Sequence, residues 1–260
     1  MIALNEIIKY LEELAPKHLA EDYDNVGLMV GDKEASVSKV VISLDTDEKV
    51  AAFAAENGAE LVISHHPLLF KPAKSITKEN PLGRTVYNLI KNDISLYAMH
   101  TNFDSVSGGL GDYFLKAACK VSAYDSLEGE FPDGIGRIAK LDEEITFGDL
   151  IDRIKKSLKI NSVRYVGDEN MPVKTVAACN GGGADLIFSA YSMGADVYIS
   201  GDLKYHHARY AYENSRCLIE VPHYEAEIIF CEYLSDLLNN KFEGICEFLV
   251  YKNENPWKIK

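Results

Sequence analysis

The chain has 260 residues, a net charge of −13 and a hydrophobic content of 47%, enough for one or two domains with a substantial core. The acidic balance argues against a nucleic-acid partner, because affinity for the phosphate backbone depends largely on lysine and arginine. No apolar run approaches the roughly 20 residues that span a bilayer, and the first residues do not resemble a signal peptide. We therefore expect a cytoplasmic protein without a membrane partner, and five scattered cysteines that stay reduced and mostly buried.

The first half of the chain alternates predicted helices and strands. Apolar residues at helical spacing predict a helix from Leu4 to Leu14. Strands are predicted next at 39–44, 61–64 and 94–101, with helices between them at 49–59 and 81–91. This alternation is typical of an α/β fold with a mainly parallel sheet that is covered on both faces.

The second half repeats part of this pattern. Residues 39–64 align without a gap on residues 175–200, at a constant offset of 136 residues and with six identical pairs. The repeat predicts two related α/β lobes. The alternative is a pair of independent strand–helix–strand units that share a Gly-Ala-acid turn.

We place the lobe boundary at a segment rich in Gly, Asp and Pro, residues 123–137. A last strand is predicted at 246–252, and it can return to the first sheet. The expected domains are therefore a metal-ligand lobe, 1–122 plus 221–260, and an inserted second lobe of similar architecture, 123–220.

Tandem histidines follow a predicted strand end. His65 and His66 come directly after the strand at 61–64, at the carboxyl end where α/β proteins usually place their sites. Neighbouring side chains on a strand point to opposite faces, so both rings converge only if the chain bends, as Pro67 favours. The pattern indicates metal ligation, and the alternative is a structural role at the strand end.

A second polar stretch, AMHTNFD, also ends a predicted strand. Asp104 is a candidate metal ligand, and His100 is either a ligand or a residue that supports one. The alternative is a turn that Asn102 and Asp104 cap.

A third stretch begins the long helix that we predict after Pro222. His223 and Glu227 are four residues apart, so both side chains lie on one helix face. The alternative is an ordinary surface His–Glu pair.

Together these stretches offer three imidazoles and two carboxylates, from His65, His66, Asp104, His223 and Glu227. Such N/O ligands suit Zn, Fe, Mn or Ni, and they exceed what one tetrahedral ion needs. A carboxylate that bridges two divalent ions accounts for the surplus, and Glu227 is the candidate. Paired ions of this kind favour hydrolase chemistry.

Two further features have open interpretations. His206 and His207 are candidate catalytic residues that contact substrate or transfer a proton; alternatively, one lies in the core and the other in solvent. The stretch NGGGAD at 180–185 resembles a phosphate loop, but it has neither GxGxxG nor GK[ST]. A plain turn is the favoured interpretation.

Five motifs in this order resemble the YbgI-like family, the GTP cyclohydrolase I type 2 homologues. They are DYDNVGLMVG at 22–31, SHHPLLF at 64–70, HTNFD at 100–104, GDLKYHHA at 201–208 and HYEAE at 223–227. The resemblance covers nearly the whole chain, and it implies a dinuclear site formed by the five ligands above. It also implies a subunit of two lobes assembled as a toroidal homohexamer.

The resemblance implies an activity as well. GTP would be converted to dihydroneopterin triphosphate and formate through a metal-bound hydroxide. The alternatives are a hydrolase that acts on another nucleotide or phosphoester, and a metal-binding regulatory or scaffold ring without GTP turnover. We thus expect an α/β fold of two related lobes with mainly parallel sheets, and a dinuclear metal site in the cleft between them.

Overall fold

The computed structural model of the protein describes residues 1–128 and 134–258. The chain divides into two compact units, Met1–Phe103 with Ile228–Lys260, and Asp104–Glu227. Residues 129–133 of the predicted junction lie outside the described residues. The chain passes from one unit to the other near residues 103 and 227. The lobe boundaries at 122 and 220 stay a prediction. None of the described helices is long and apolar enough to cross a membrane.

The described residues form short strands and helices that alternate along most of the chain. The strands are β1 (Ile2–Ala3), β2 (Gly27–Val30), β3 (Ser36–Val37), β4 (Lys39–Ser43), β5 (Leu61–Ser64), β6 (Ser95–Ala98), β7 (Tyr124–Ser126), β8 (Arg137–Thr146), β9 (Arg164–Val166), β10 (Pro172–Ala178), β11 (Val197–Ser200), β12 (Cys217–Glu220) and β13 (Glu247–Tyr251). The helices are α1 (Leu4–Leu14), α2 (Glu48–Glu56), α3 (Pro81–Lys91), α4 (Thr101–Ser105), α5 (Leu110–Cys119), α6 (Phe147–Leu158), α7 (Ile187–Ser192), α8 (Tyr205–Glu213), α9 (His223–Glu227) and α10 (Ile229–Lys241).

The first unit contains a five-stranded sheet in the order β13-β4-β5-β6-β2. Its first four strands are parallel, and β2 is an antiparallel edge strand. The predicted return of the last strand to the first sheet is confirmed, because β13 pairs with β4. A buried cluster that includes Val41, Val50, Val62 and Leu89 packs α2 and α3 on this sheet.

Local sequence explains where these helices begin. The carboxylate of Asp47 accepts a hydrogen bond from the backbone N–H of Val50 at 2.9 Å. At α3, the Asn80 side chain accepts from Gly83 N, and Pro81 occupies the first helical position. Both arrangements satisfy N–H groups that a helix start leaves without an intrahelical acceptor.

The second unit contains a six-stranded sheet in the order β7-β8-β10-β11-β12-β9. The central strands β10, β11 and β12 are parallel, whereas β8 and β9 flank them in antiparallel pairing. The α/β class is confirmed, but this sheet is mixed rather than mainly parallel.

The internal repeat has the same strand register in both units. Val40 pairs with Leu61 in the first unit, and Val176 pairs with Val197 at the positions 136 residues later. Two residues after the last residue of α2 and of α7 stands a glycine with positive φ, 66° at Gly58 and 89° at Gly194. A left-handed residue at this position is typical of a helix C-terminus and favours glycine.

The acidic residue that both repeats contain has the same role in each unit. The Glu60 carboxylate accepts hydrogen bonds from the backbone N–H groups of Ser38 and Lys39 at the start of β4. Asp196, the equivalent residue, accepts from the backbone N–H groups of Lys174 and Thr175 in β10. In both units the Gly-Ala-acid turn therefore ties the start of one strand, β5 or β11, to the preceding strand of the repeat, β4 or β10.

The prediction of one long helix after Pro222 is wrong in one respect. The segment is two helices, α9 and α10, with Ile228 between them. The N–H of Cys231 donates to the carbonyl of Ile228, three residues back rather than four, so the turn tightens there. The predicted burial of the cysteines is confirmed, since four are buried and only Cys246 is partly exposed.

Candidate functional site

Three histidines of the first unit lie together at the carboxyl ends of β5 and β6. These strands are parallel neighbours, so the residues that follow them meet at one edge of the sheet. The ring centroids of His65 and His66 are 5.2 Å apart, and that of His100 is 5.1 Å from His65. One ligand atom from each residue lies within 4.8 Å of the others. The convergence expected from a bend after β5 is present.

Each of these rings is held through Nδ1. The His65 Nδ1 lies 2.8 Å from the carbonyl oxygen of Met99. The Nδ1 of His66 is 2.8 Å from Asp45 Oδ1, and that of His100 is 2.9 Å from Asp24 Oδ1.

Carbonyl and carboxylate oxygens only accept hydrogen bonds, so each Nδ1 carries the proton. In the neutral ring, Nε2 then keeps its lone pair, which is the arrangement found in metal-binding histidines. The donor chemistry of this histidine cluster (His65, His66 and His100) therefore fits a divalent transition metal.

Asp24 is fixed by several donors. Its buried carboxylate accepts from His100 and from both the backbone N–H and the hydroxyl of Thr101. Burial alone would raise the pKa of Asp24, but the hydrogen bonds from His100 and Thr101 outweigh it and lower the pKa to about 2. Asp24 is thus an anionic support for His100, which sequence reasoning did not identify although it lies in the DYDNVG motif.

Asp45 is positioned from the far end of the chain. The side-chain oxygen of Asn253, just after β13, accepts from the backbone N–H groups of Leu44 and Asp45, each at 3.1 Å. The buried Asn253 amide therefore fixes the backbone at Asp45, and the Asp45 carboxylate holds His66. Sequence reasoning missed both residues, although Asp45 follows a strand end just as His65 does.

The second unit brings together His223 and Glu227. The Nε2 of His223 lies 2.8 Å from Oε2 of Glu227, as the i,i+4 spacing predicts, and its Nδ1 lies 2.7 Å from Oδ2 of Asp202. Burial lowers the pKa of His223, but the hydrogen bonds and charges of Glu227 and Asp202 outweigh it and raise the pKa to about 9. A metal ion bound at His223 must therefore displace a proton.

Asp104 and Glu227 are joined by one amide. Nδ2 of Asn180 donates to Oδ1 of Asp104 at 2.7 Å and reaches Oε1 of Glu227 at 3.5 Å. Both carboxylates are buried, and buried charges need compensation by cations or hydrogen bonds. The buried Oδ1 of Asn180 has no hydrogen-bond donor among the described residues. This concentration of oxygen atoms also fits a cation.

The glycine-rich stretch gives Glu227 its space. Gly181 has φ of +61°, and a Cβ there would overlap Oε1 of Glu227 and lie 2.8 Å from its Cδ. Only glycine combines this conformation with so close an approach. The stretch is thus the wall beside a candidate metal ligand, a role that neither interpretation of its sequence contained.

The backbone after Asp104 rests on a buried arginine. Arg137 forms an ion pair with Asp112 at 2.6 Å, and its guanidinium donates to the carbonyl oxygens of Gly134 and Ser105. An arginine that satisfies several buried oxygens fixes the loop they belong to.

The two candidate catalytic histidines differ in exposure. His207 is buried, and its Nδ1 accepts a hydrogen bond from the backbone N–H of Lys204 at 3.0 Å. Burial, then the nearby charge of His206, lowers the pKa of His207. His206 is exposed. His207 has the geometry of a helix cap, and a catalytic role for either histidine stays a prediction.

Comparison with known proteins identifies the relatives of this chain. The family model Duf34/NIF3 (NGG1p interacting factor 3) matches residues 2–256. The chain belongs to this family. A GTP cyclohydrolase 1 type 2 homolog of Clostridium perfringens is 40% identical over 259 residues, which cover 98% of this chain and 99% of the relative. GTP cyclohydrolase 1 type 2 of Helicobacter pylori is 32% identical and covers 97% of this chain and 98% of its own length.

Solved structures agree with this assignment. Staphylococcus aureus protein SA1388 is 30% identical, with a TM-score of 0.91 over 100% of this chain and 99% of that one. Protein ybgI is 25% identical, with a TM-score of 0.85 over 98% of this chain and 100% of that one. The resemblance found in the five motifs is therefore confirmed at the level of family and fold.

Proposed function

We propose that the protein is a metal-dependent hydrolase in which His65, His66, Asp104, His223 and Glu227 hold two divalent ions. The observation that carries this proposal is the histidine cluster, in which an oxygen acceptor holds every Nδ1, so that Nε2 carries the lone pair that binds a metal. The five residues come from both units, and their joint action is part of the proposal.

The N/O donor set selects the ion and the chemistry. Imidazole and carboxylate ligands favour Zn, Fe, Mn or Ni over soft Cu(I). A bound pair of ions supplies a nucleophile from water near neutral pH and polarises the group that is attacked.

The chain's own residues do the rest. Asp45 and Met99 orient the rings of His66 and His65, Asn180 spaces two carboxylates, and His206 offers an exposed imidazole for proton transfer.

The names of the relatives indicate the substrate class. The Helicobacter pylori protein is named GTP cyclohydrolase 1 type 2, and the Clostridium perfringens protein is named GTP cyclohydrolase 1 type 2 homolog. We therefore propose a nucleotide substrate in the cytoplasm, with GTP as the leading candidate. Hydrolytic attack at the purine imidazole carbon would open the five-membered ring, and a second hydrolysis would release that carbon as formate. Rearrangement of the ribose and its closure onto the two pyrimidine amines, with loss of one water, would then give dihydroneopterin triphosphate.

A binding role without turnover is the second candidate. It is favoured by the family description, NGG1p interacting factor 3, which names a protein contact rather than a reaction. In this version the ions organise a toroidal homohexamer, the assembly that we propose for either function. Size-exclusion chromatography with light scattering tests it, and a monomer would remove the ring.

Turnover separates the two functions. Protein loaded with each candidate metal is incubated with GTP, and the release of formate and a fluorescent oxidised pterin are measured. The hydrolase predicts both products from the native chain and neither from Glu227→Ala. If the metal-loaded protein releases no formate, GTP is excluded as the substrate of this reaction. Other nucleotides and phosphoesters would then be screened.

A further inference from the structure

A cavity within the second unit is lined by none of the proposed metal ligands. It occupies about 180 Å³ beside β9, β12 and the start of α8. Leu203 and Leu218 form an apolar floor, and both are buried. A void of this size compares with the roughly 150 Å³ cavity that holds benzene in an engineered protein. One aromatic ring therefore fits, and the remainder of any larger ligand stays at the rim.

Two tyrosines form the walls. Tyr165 is ordered by an edge contact with Phe147, at 5.8 Å between ring centroids, and by a hydrogen bond from its hydroxyl to Glu169. Tyr205, the first residue of α8, is 79% exposed. Exposed tyrosines beside an apolar floor offer stacking surfaces for a planar ring.

The rim carries positive charge on an acidic protein. Arg164 and Lys204 both line the cavity. Arg164 is paired with Glu220, which compensates its charge. Lys204 is exposed, and it takes part in none of the ion pairs found among the described residues. An anionic group at the rim would therefore meet an uncompensated ammonium group.

We propose that this pocket binds a planar aromatic group that carries an anion, the chemical class of the nucleotides. The ring lies on Leu218 between Tyr165 and Tyr205, and the anion contacts Lys204. The pocket contains none of the proposed metal ligands, so binding there does not depend on the metal pair. It adds a recognition site to a chain that has no phosphate-loop motif.

The probe for this site is GMP, with guanosine and ribose 5-phosphate as the ring-only and anion-only arms. Each is titrated by calorimetry into the full-length Glu227→Ala variant after treatment with a chelator, so that the candidate metal centre does not contribute. We expect GMP to bind and each half-ligand to bind at least about tenfold more weakly, because ribose 5-phosphate lacks the ring that stacks on the tyrosines and guanosine lacks the anion that contacts Lys204.

Substitutions locate the binding. Lys204→Glu should weaken GMP about tenfold, since it removes one ionic contact and adds a repulsion. Lys156→Glu, an exposed charge reversal on α6 of the same unit, is the matched control and should leave the affinity unchanged. Tyr205→Ala should weaken GMP and guanosine alike, while ribose 5-phosphate is unaffected.

Three results would overturn the proposal. They are no binding of GMP at millimolar concentration, equal weakening by both lysine variants, and an unchanged affinity in Tyr205→Ala. Matching thermal unfolding curves for the variants exclude misfolding as the cause of a loss. A protein that binds GMP here but never binds metal would retain this site and lose only the proposed hydrolase.

Discussion

The two strand–helix–strand repeats share their scaffold and differ at their ends. Both use the same strand register, a left-handed glycine after the helix and an acid that ties two neighbouring strands together. At the strand ends, His66 stands where the second repeat has Asp202, and Asp45 stands where it has Gly181. The contacts that build the fold are thus repeated, and the side chains that offer chemistry are not.

At the strand ends, both units use a carboxylate to orient a histidine, but the two residue types stand at different positions of the repeat. In the first unit a carboxylate, Asp45, follows one strand and holds a histidine that follows the next. In the second unit the carboxylate is Asp202, and it holds His223 from α9. The glycine at 181 leaves the space that Glu227 fills. Each unit therefore presents at least one histidine oriented by a carboxylate, which is why we assign both ends to one kind of site.

The largest effect should come from filling the space beside Glu227. Gly181→Ala places a Cβ on a carboxylate and a side chain at positive φ, so we expect a loss of about 3 kcal/mol in the free energy of unfolding. Gly194→Ala is the control, because its φ is also positive but no atom lies within 4 Å of the new Cβ. It should lose only about 1–2 kcal/mol. Equal losses in urea unfolding would contradict the close approach.

The next effect should come from the amide between the two buried carboxylates. Asn180→Ala removes the donor that Asp104 and Glu227 share, so both carboxylates lose their spacing. We expect the affinity for zinc to fall about 10- to 100-fold, as for other residues that orient metal ligands. Competition with a chromogenic chelator measures this change. Native affinity in Asn180→Ala would show that the amide has only a folding role.

A smaller effect is expected at the end of the chain. Asn253→Ala frees the turn that carries Asp45, and His66 loses part of its orientation. We expect roughly a tenfold loss of zinc affinity, and no loss in the neighbouring variant Asn255→Ala. If both variants bind zinc like the native protein, the link from the C-terminal tail to His66 is wrong.

The smallest effect tests the shared scaffold. Glu60→Gln and Asp196→Asn each weaken equivalent hydrogen bonds at a strand start. Both should lose about 1 kcal/mol of stability and keep native metal affinity. A clear difference between the two variants would show that the repeats do not use this contact in the same way.

Periodicity predicted the elements well where the signal is local. The bounds of β5 and α3 agree with the pattern of apolar residues, and the spacing of His223 and Glu227 correctly predicted their contact. The position of His65 and His66 at a strand end was predictable because the strand before them has a clear apolar pattern.

The supporting residues were not predictable, since their contacts join distant parts of the chain. Asn180 contacts Asp104 across 76 positions, and Asn253 contacts Leu44 across 209. The mixed second sheet and the break at Ile228 depend on tertiary packing, which periodicity does not record.

Metal content tests the central claim most directly. Protein purified without a chelator is analysed by inductively coupled plasma mass spectrometry, beside His66→Ala, Glu227→Ala and the control His18→Ala. We predict about two transition-metal ions per chain in the native protein and in the control, and fewer in the other two variants. A reproducible value near zero in the native protein, or unchanged content in both ligand variants, would contradict a metal site built from these strand ends.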